Sequence, residues 1–212
     1  MTRYAPAERQ ALCDTLLAVG PEAPTLCHPW RACELTAHLI LRETRPDLVA
    51  GQWVKPLRGR LDRAIQERAT APYAELVATL RGGPPRWALT SLAQFDEATN
   101  LLEFFVHHED VRRAAPGWAA RELDPGHETA LWDYLQKSAR FLFRRATAGV
   151  VLDAGEARRF VARPPGALGS ALVEGPVGEL VLYSNGRRSV ASVSLTGPTE
   201  AVQSLASTDL SI

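Results

Sequence analysis

The sequence predicts an α+β protein in which a helical bundle is followed by a small α/β domain. Over the first two thirds of the chain, apolar residues recur at the spacing of amphipathic helices. Beyond about Thr147 the chain consists of short segments rich in β-branched residues and bounded by glycine or proline. A length of 212 residues allows two small domains. We place them at residues 1–146 and 147–212, with no long linker between them.

Four long helices are expected in the first domain, each with an apolar stripe and most with a glycine or proline at the end. Two shorter helices, or one broken helix, fit between the second and third. Several helices of this length with short connections indicate a bundle. The long helices are marked by Leu12, Leu16 and Val19, by residues 31–45, by residues 91–115, and by Leu131, Trp132, Leu135, Ala139, Leu142 and Phe143.

Three strands and two short helices are expected in the second domain. The strand segments are 150–155, 158–165 and 189–197, and in the last of these apolar residues alternate with serines. Pro176 stands at a favourable first position of a helix that Asn185-Gly186 would end. A second short helix fits residues 198–207.

Composition and the lack of targeting segments favour a soluble, cytoplasmic protein. Lys+Arg and Asp+Glu both number 24, so the chain has no net basic charge with which to bind nucleic acid or anionic membranes. Charged residues interrupt the N-terminal segment, and no apolar run is long enough for a membrane span. Three sparse cysteines (Cys13, Cys27 and Cys33) are typical of reduced thiols. We expect a monomer or a small homo-oligomer.

The run from Asn100 to Ala114 contains the first two candidate metal ligands. Glu103 and His107 are four residues apart and therefore share one face of a helix, among apolar neighbours. His108 points about 100° away from His107 around the helix axis, so it is expected to be partly exposed or to support a ligand and not to be one itself. A carboxylate in such a setting is costly to bury unless it is paired or binds a cation.

A third candidate ligand, His38, lies in an apolar stretch of the second helix. Two imidazoles and one carboxylate are the ligands of catalytic Zn²⁺ sites, and they also suit non-haem Fe(II). Asp110, one turn beyond His107, is placed to accept a hydrogen bond from the ring nitrogen of His107 that does not bind the metal, or from the ring of His108. The spacing identifies no catalytic acid or base.

An ordinary packed helix is the alternative interpretation of these residues. An E-x-x-x-H pair occurs by chance, and a histidine in a core helix usually finds a hydrogen-bonding partner. Glu109 and Arg113 have the spacing of a surface ion pair. Glu34 is placed to cap the start of the second helix.

The chain resembles the actinobacterial metal-binding proteins related to mycothiol-dependent maleylpyruvate isomerase, within the wider DinB-like group. The resemblance lies in residues 8–47 and 103–114 and extends over essentially the whole chain. Its motifs are W-x7-H from Trp30 to His38, R-E-x-R-P-D from Arg42 to Asp47, and E-F-x-x-H-H-x-D from Glu103 to Asp110.

This resemblance implies a DinB-like four-helix bundle, a sterol-carrier-like C-terminal domain, and a divalent metal, usually zinc. The metal would be held at His38, Glu103 and His107. Arg31 departs from the Thr or Ser that the family tends to have at the start of the second helix. An arginine there lacks the N-cap oxygen, at a cost of about 1 kcal/mol unless another group substitutes.

The expected function is a metal-dependent thiol transferase or isomerase that uses a low-molecular-weight thiol such as mycothiol. Arg42, one turn past His38, and Arg187 in the C-terminal domain are candidates for binding an anionic group of the substrate. Two alternatives stay open at this point. One is a non-catalytic metal-binding or stress-associated protein, and the other is a metal hydrolase or Fe(II) oxygenase with the same ligands.

Overall fold

The structure is a computed structural model that describes residues 4–49, 55–84, 93–155 and 157–210. It is α+β, as the sequence predicts. The chain divides into two units, Met1–Trp118 and Ala119–Ile212. Among the described helices, none is long and apolar enough to cross a membrane.

The first unit is helical. Helix α1 packs against α5 and α6, and α2 packs against α4 and α5. Leucines on α1, α2 and α5 and a phenylalanine on α6 are fully buried and form its core (Leu12, Leu16, Leu35, Leu39, Leu76, Leu80 and Phe104). The helices are α1 (Tyr4–Val19), α2 (Ala32–Thr44), α3 (Pro46–Val49), α4 (Lys55–Ala69), α5 (Tyr73–Gly82) and α6 (Ala93–Arg112).

The start of α2 shows how the chain compensates for the missing N-cap oxygen. Arg31 has an extended backbone, and its side chain makes no capping hydrogen bond. The Glu34 carboxylate instead accepts the Arg31 backbone N–H at 2.9 Å. This is the capping contact expected for Glu34, and it satisfies one donor at the helix start.

The second unit contains a four-stranded mixed sheet with the strand order β2-β1-β3-β4. Strand β1 runs antiparallel to β2 and parallel to β3, and β3 runs antiparallel to β4. The elements are α7 (Pro125–Leu142), β1 (Gly149–Asp153), β2 (Arg159–Arg163), β3 (Ser170–Glu174), α8 (Val177–Ser184), a 3₁₀ turn (Arg188–Val190), β4 (Ser194–Thr196) and α9 (Thr199–Ser207).

Helix α7 lies in the second unit, whereas its sequence pattern predicts a helix of the bundle. Its apolar stripe is buried, and it packs against α8 and β2, with the Trp132 ring edge-on to Phe160 at 5.1 Å between centroids. Apolar periodicity identifies a buried helix face but not the element that covers it. The structural division falls at 118/119, whereas the expected domain boundary is at 146/147. The domain boundary itself stays a prediction.

Most of the other predicted elements of the second unit are present. Strands β2 and β4 fall within the expected segments, as do α8 and α9, and β1 begins one residue before its segment, at Gly149. Strand β3 is not among the predicted strands, because its apolar residues (Ala171, Leu172 and Val173) form a run of only three without polar alternation. The segment 189–197 is a strand only at β4, since a 3₁₀ turn occupies residues 188–190.

Candidate metal centre

Helices α2 and α6 bring the three predicted ligands together. One ring nitrogen each of His38 and His107 and one oxygen of Glu103 lie within 4.8 Å of one another. The two imidazole rings meet edge to face, with 5.6 Å between their centroids. The first unit alone supplies this cluster.

His107 is held from both sides by carboxylates. Its Nε2 lies 3.1 Å from an oxygen of Glu103, and its Nδ1 lies 2.9 Å from Oδ2 of Asp110. Burial by itself lowers the pKa of His107, but the Cys27 sulfur and the Asp110 and Glu103 carboxylates outweigh burial. They raise the pKa well above the ordinary 6.5.

Glu103 lies between His107 and a guanidinium group. Nε of Arg42 is 3.4 Å from Oε1 of Glu103, while Oε2 faces His107. Burial by itself raises the pKa of Glu103, but the His107 hydrogen bond and the Arg42 charge outweigh it and hold the pKa far below its usual range. Arg42 also donates to the Oδ1 atom of Asn100. The carboxylate is therefore ionised at neutral pH.

His38 has no hydrogen-bonding partner among the described residues. Both of its ring nitrogens are buried and unpaired, and its ring stacks at a tilt on Trp30, with 4.8 Å between centroids. Burial, followed by the charge of His107, lowers the pKa of His38 to about 4. A buried polar atom without a partner costs about 1–3 kcal/mol. A neutral imidazole with an unused lone pair beside Glu103 and His107 fits a metal ligand.

Asp110 also joins α6 to the loop before α2. Its Oδ2 atom accepts from the Cys27 thiol at 3.0 Å, and its backbone carbonyl accepts from Leu26 N–H at 3.0 Å. The Cys27 sulfur is 3.6 Å from Nδ1 of His107. The sequence pattern does not single out Cys27, because it lies 80 residues from His107 along the chain and only the folded loop brings it there.

His108 faces α1 instead of the cluster. Its Nδ1 is 2.7 Å from Oε1 of Glu8, and its Nε2 is 2.8 Å from the hydroxyl of Thr15. The side chain is buried and links α1 to α6. The 100° offset from His107 predicts this divergence, but the two partners on α1 could not be inferred from spacing.

Three further residues from the sequence analysis lie outside this cluster: the ion pair Glu109–Arg113 and Arg187. The pair Glu109–Arg113, expected at the surface, is buried, with 2.5 Å between oxygen and nitrogen and 1% side-chain exposure at each residue. The Arg113 guanidinium also stacks on the Trp118 ring, 4.4 Å from its centroid. Arg187 belongs to the second unit and donates to the Asn185 carbonyl at 2.7 Å. Its role in substrate binding stays a prediction.

Comparison with known proteins finds matches among solved structures only. No family model matches the chain, and no curated protein matches it. Two solved structures do: the crystal structure of the mycothiol-dependent maleylpyruvate isomerase, with a TM-score of 0.58, and that of its histidine-to-alanine mutant, with a TM-score of 0.60. In fold, the chain is similar to mycothiol-dependent maleylpyruvate isomerase.

The likeness to mycothiol-dependent maleylpyruvate isomerase extends over both units. It covers 92% of this chain and 91% of the isomerase chain, at 15% sequence identity. The resemblance inferred from the sequence motifs is thus confirmed at the level of fold. The DinB-like bundle and the sterol-carrier-like character of the second unit stay predictions.

Proposed function

We propose that the chain binds a divalent metal ion, with Zn²⁺ the expected ion, through His38, Glu103 and His107. We propose further that it activates a low-molecular-weight thiol such as mycothiol towards a small electrophilic or unsaturated substrate. The observation that carries this proposal is His38, whose two buried nitrogens have no partner among the described residues and which adjoins Glu103 and His107.

The donor set favours a reactive site over a purely structural one. Two histidines and one carboxylate leave a coordination position for water, thiol or substrate, whereas structural zinc sites have four protein ligands. When bound, the metal favours thiolate over thiol, and the thiolate is the nucleophile. The fold similarity to a mycothiol-dependent enzyme supports mycothiol as that thiol.

The surrounding residues prepare the ligands for this role. Asp110 accepts a hydrogen bond from the Nδ1–H group of His107, and this contact directs Nε2 towards Glu103, where a metal ion would displace the Nε2 proton. Arg42 holds the other oxygen of Glu103, and Trp30 packs on the ring of His38. These contacts fix the three side chains before any ligand binds, so little ordering is needed on binding.

Two reaction outcomes are compatible with a thiolate at this site. Addition of the thiolate to an unsaturated carbonyl compound gives an enolate, and rotation followed by expulsion of the thiolate isomerises the substrate. Protonation of the enolate by water, without expulsion, leaves a stable S-conjugate and makes the protein a transferase. Arg42, whose guanidinium lies beside the cluster, is placed to attract a carboxylate on the substrate.

The test is thiol-dependent turnover by zinc-loaded protein. Mycothiol is incubated with maleylpyruvate and with a panel of α,β-unsaturated carbonyl compounds, and isomerisation and thiol consumption are followed. Activity is expected in the native protein and in His28→Ala, which changes an exposed histidine, and is expected to fall at least about 100-fold in His38→Ala.

Other outcomes would assign other functions. Stoichiometric zinc without thiol consumption would indicate a metal-binding protein that is not an enzyme of this kind. Iron in protein purified without oxygen or chelator, together with oxygen uptake, would indicate an oxygenase. Full activity in metal-free protein would contradict the proposal.

A further inference from the structure

The far side of His107 carries a second group of metal-ligand atoms. Cys27 Sγ, His107 Nδ1 and Asp110 Oδ2 lie within 4.8 Å of one another. This group uses the ring nitrogen that points away from Glu103, and neither Cys27 nor Asp110 belongs to the first cluster. We propose that these three atoms form a second metal position, selective for thiophilic divalent ions such as Cd²⁺ or Zn²⁺.

The spacing of the three atoms is close to that of a tetrahedral site. Zinc distances of about 2.3 Å to sulfur and about 2.0 Å to nitrogen and oxygen separate tetrahedral ligands by about 3.3–3.6 Å. The sulfur of Cys27 is 3.6 Å from Nδ1 of His107. The other two separations, 3.0 Å from sulfur to Oδ2 and 2.9 Å from Nδ1 to Oδ2, are hydrogen bonds whose protons an ion would replace.

The charges at this second position suit a divalent cation. On binding, the Cys27 thiol and the Nδ1 group of His107 each release a proton to solvent. The thiolate and the Asp110 carboxylate then supply two negative charges beside the ion. At the first position the Glu103 carboxylate is shared with the Arg42 guanidinium, which lowers its attraction for a cation. A sulfur ligand further favours soft ions over Mg²⁺ or Ca²⁺.

The loop that carries Cys27 is fixed against α6. The backbone N–H of Leu26 donates to the Asp110 carbonyl at 3.0 Å, immediately before Cys27. The Thr25 hydroxyl accepts the Cys27 N–H at 3.1 Å and donates to the Trp30 carbonyl at 2.7 Å. The sulfur is therefore positioned by the fold itself, and binding does not require the loop to be ordered first.

The test separates the second position from the first by removing His38. Metal-free His38→Ala protein is titrated with Cd²⁺ or Co²⁺, and the thiolate-to-metal charge-transfer absorption is recorded together with the bound metal. We expect the band to develop in His38→Ala, with about one ion per chain. It should disappear in the double variant with Cys27→Ser. It should persist in the double variant with Cys33→Ser, since the Cys33 thiol instead contacts Glu34, at 3.2 Å.

The same comparison in the native background guards against a folding defect of His38→Ala. There the band is expected to be lost in Cys27→Ser and kept in Cys33→Ser. A band that survives Cys27→Ser, or no band in native protein saturated with Cd²⁺, would overturn the proposal. The second metal position is tested independently of the proposed function, because zinc-dependent thiol consumption by Cys27→Ser protein tests the first position alone.

Discussion

Asp110 accepts a hydrogen bond from Nδ1 of His107 at 2.9 Å, and this contact determines which nitrogen of His107 faces Glu103. The pair spans less than one helical turn of α6, so it is formed by the helix itself. The proposed metal site at His38, Glu103 and His107 depends on this orientation.

Replacing Asp110 by Asn is predicted to weaken zinc binding at the first position about 10- to 100-fold. The amide lacks the charge that orients the ring and makes Nε2 more basic. Affinity is measured in the Cys27→Ser background, which removes the proposed second position, by competition with a chromophoric chelator. Asp133→Asn, an exposed aspartate on α7, is the matched control and should bind zinc as the native protein does. Equal zinc affinities of the two variants would show that Asp110 does not support metal binding at the first position.

Zinc binding is predicted to release about one proton per ion from the first position at pH 7. The raised pKa of His107 leaves its ring protonated in the metal-free protein, whereas the pKa of His38, at about 4, leaves that ring neutral. Calorimetric titration in buffers of different ionisation enthalpy gives the number of protons released. It is carried out on Cys27→Ser protein, in which the Asp110 and Glu103 hydrogen bonds that raise the pKa of His107 remain. Affinity should rise with pH until His107 is neutral. Binding that is independent of the buffer would show that His107 is already neutral or is not a ligand.

The metal-free protein is predicted to lose stability as the pH rises above neutrality. A histidine whose pKa is raised by folding stabilises the folded state. This stabilisation is fully present below the pKa of the unfolded state, near 6.5, and is lost as the pH rises through the pKa of the folded state. A tenfold change in proton affinity on folding corresponds to about 1.4 kcal/mol of stability. Glu103, whose pKa is lowered by folding, has the opposite pH dependence: its contribution to stability is present at neutral pH and is lost only in acid.

Urea unfolding of metal-free protein at several pH values checks this dependence. The native protein should become less stable between about pH 6 and pH 9, and His107→Gln should remove most of that slope. A slope that remains unchanged in His107→Gln would mean that another group carries the dependence.

Replacing Glu43 by Ala is predicted to destabilise the protein by about 3–5 kcal/mol. Glu43 pairs with Arg9 at 2.5 Å, both side chains are buried, and the Arg9 guanidinium lies over the ring of Phe104. The substitution leaves a buried guanidinium without its carboxylate. Thermal or urea unfolding measures the loss. Asp47→Ala breaks the exposed pair with Arg45 and should leave the midpoint nearly unchanged.

The candidate ligands could be found in the sequence because their signal is local. Glu103 and His107 share a helix face through a four-residue spacing, and His38 stands out as a polar residue within an apolar stretch. The structure places all three together. Their juxtaposition needed one further assumption, that α2 and α6 approach each other at this depth, and the family resemblance supplied it.

The remaining features depend on contacts between distant segments and leave no local signal. Cys27 reaches His107 only because the loop before α2 folds onto α6. The burial of Glu109 with Arg113 depends on contacts with other segments, one of which is the stacking of Arg113 on Trp118, beyond the end of the helix. The placement of α7 in the second unit reflects which surface covers its stripe, and periodicity does not encode that choice.

An anomalous difference map from crystals grown with zinc tests the central claim most directly. We predict a peak at the zinc edge bonded to one nitrogen each of His38 and His107 and to an oxygen of Glu103, with distances of about 2.0–2.2 Å. The absence of a peak between these side chains at saturating zinc, in crystals that retain the native fold, would contradict the claim.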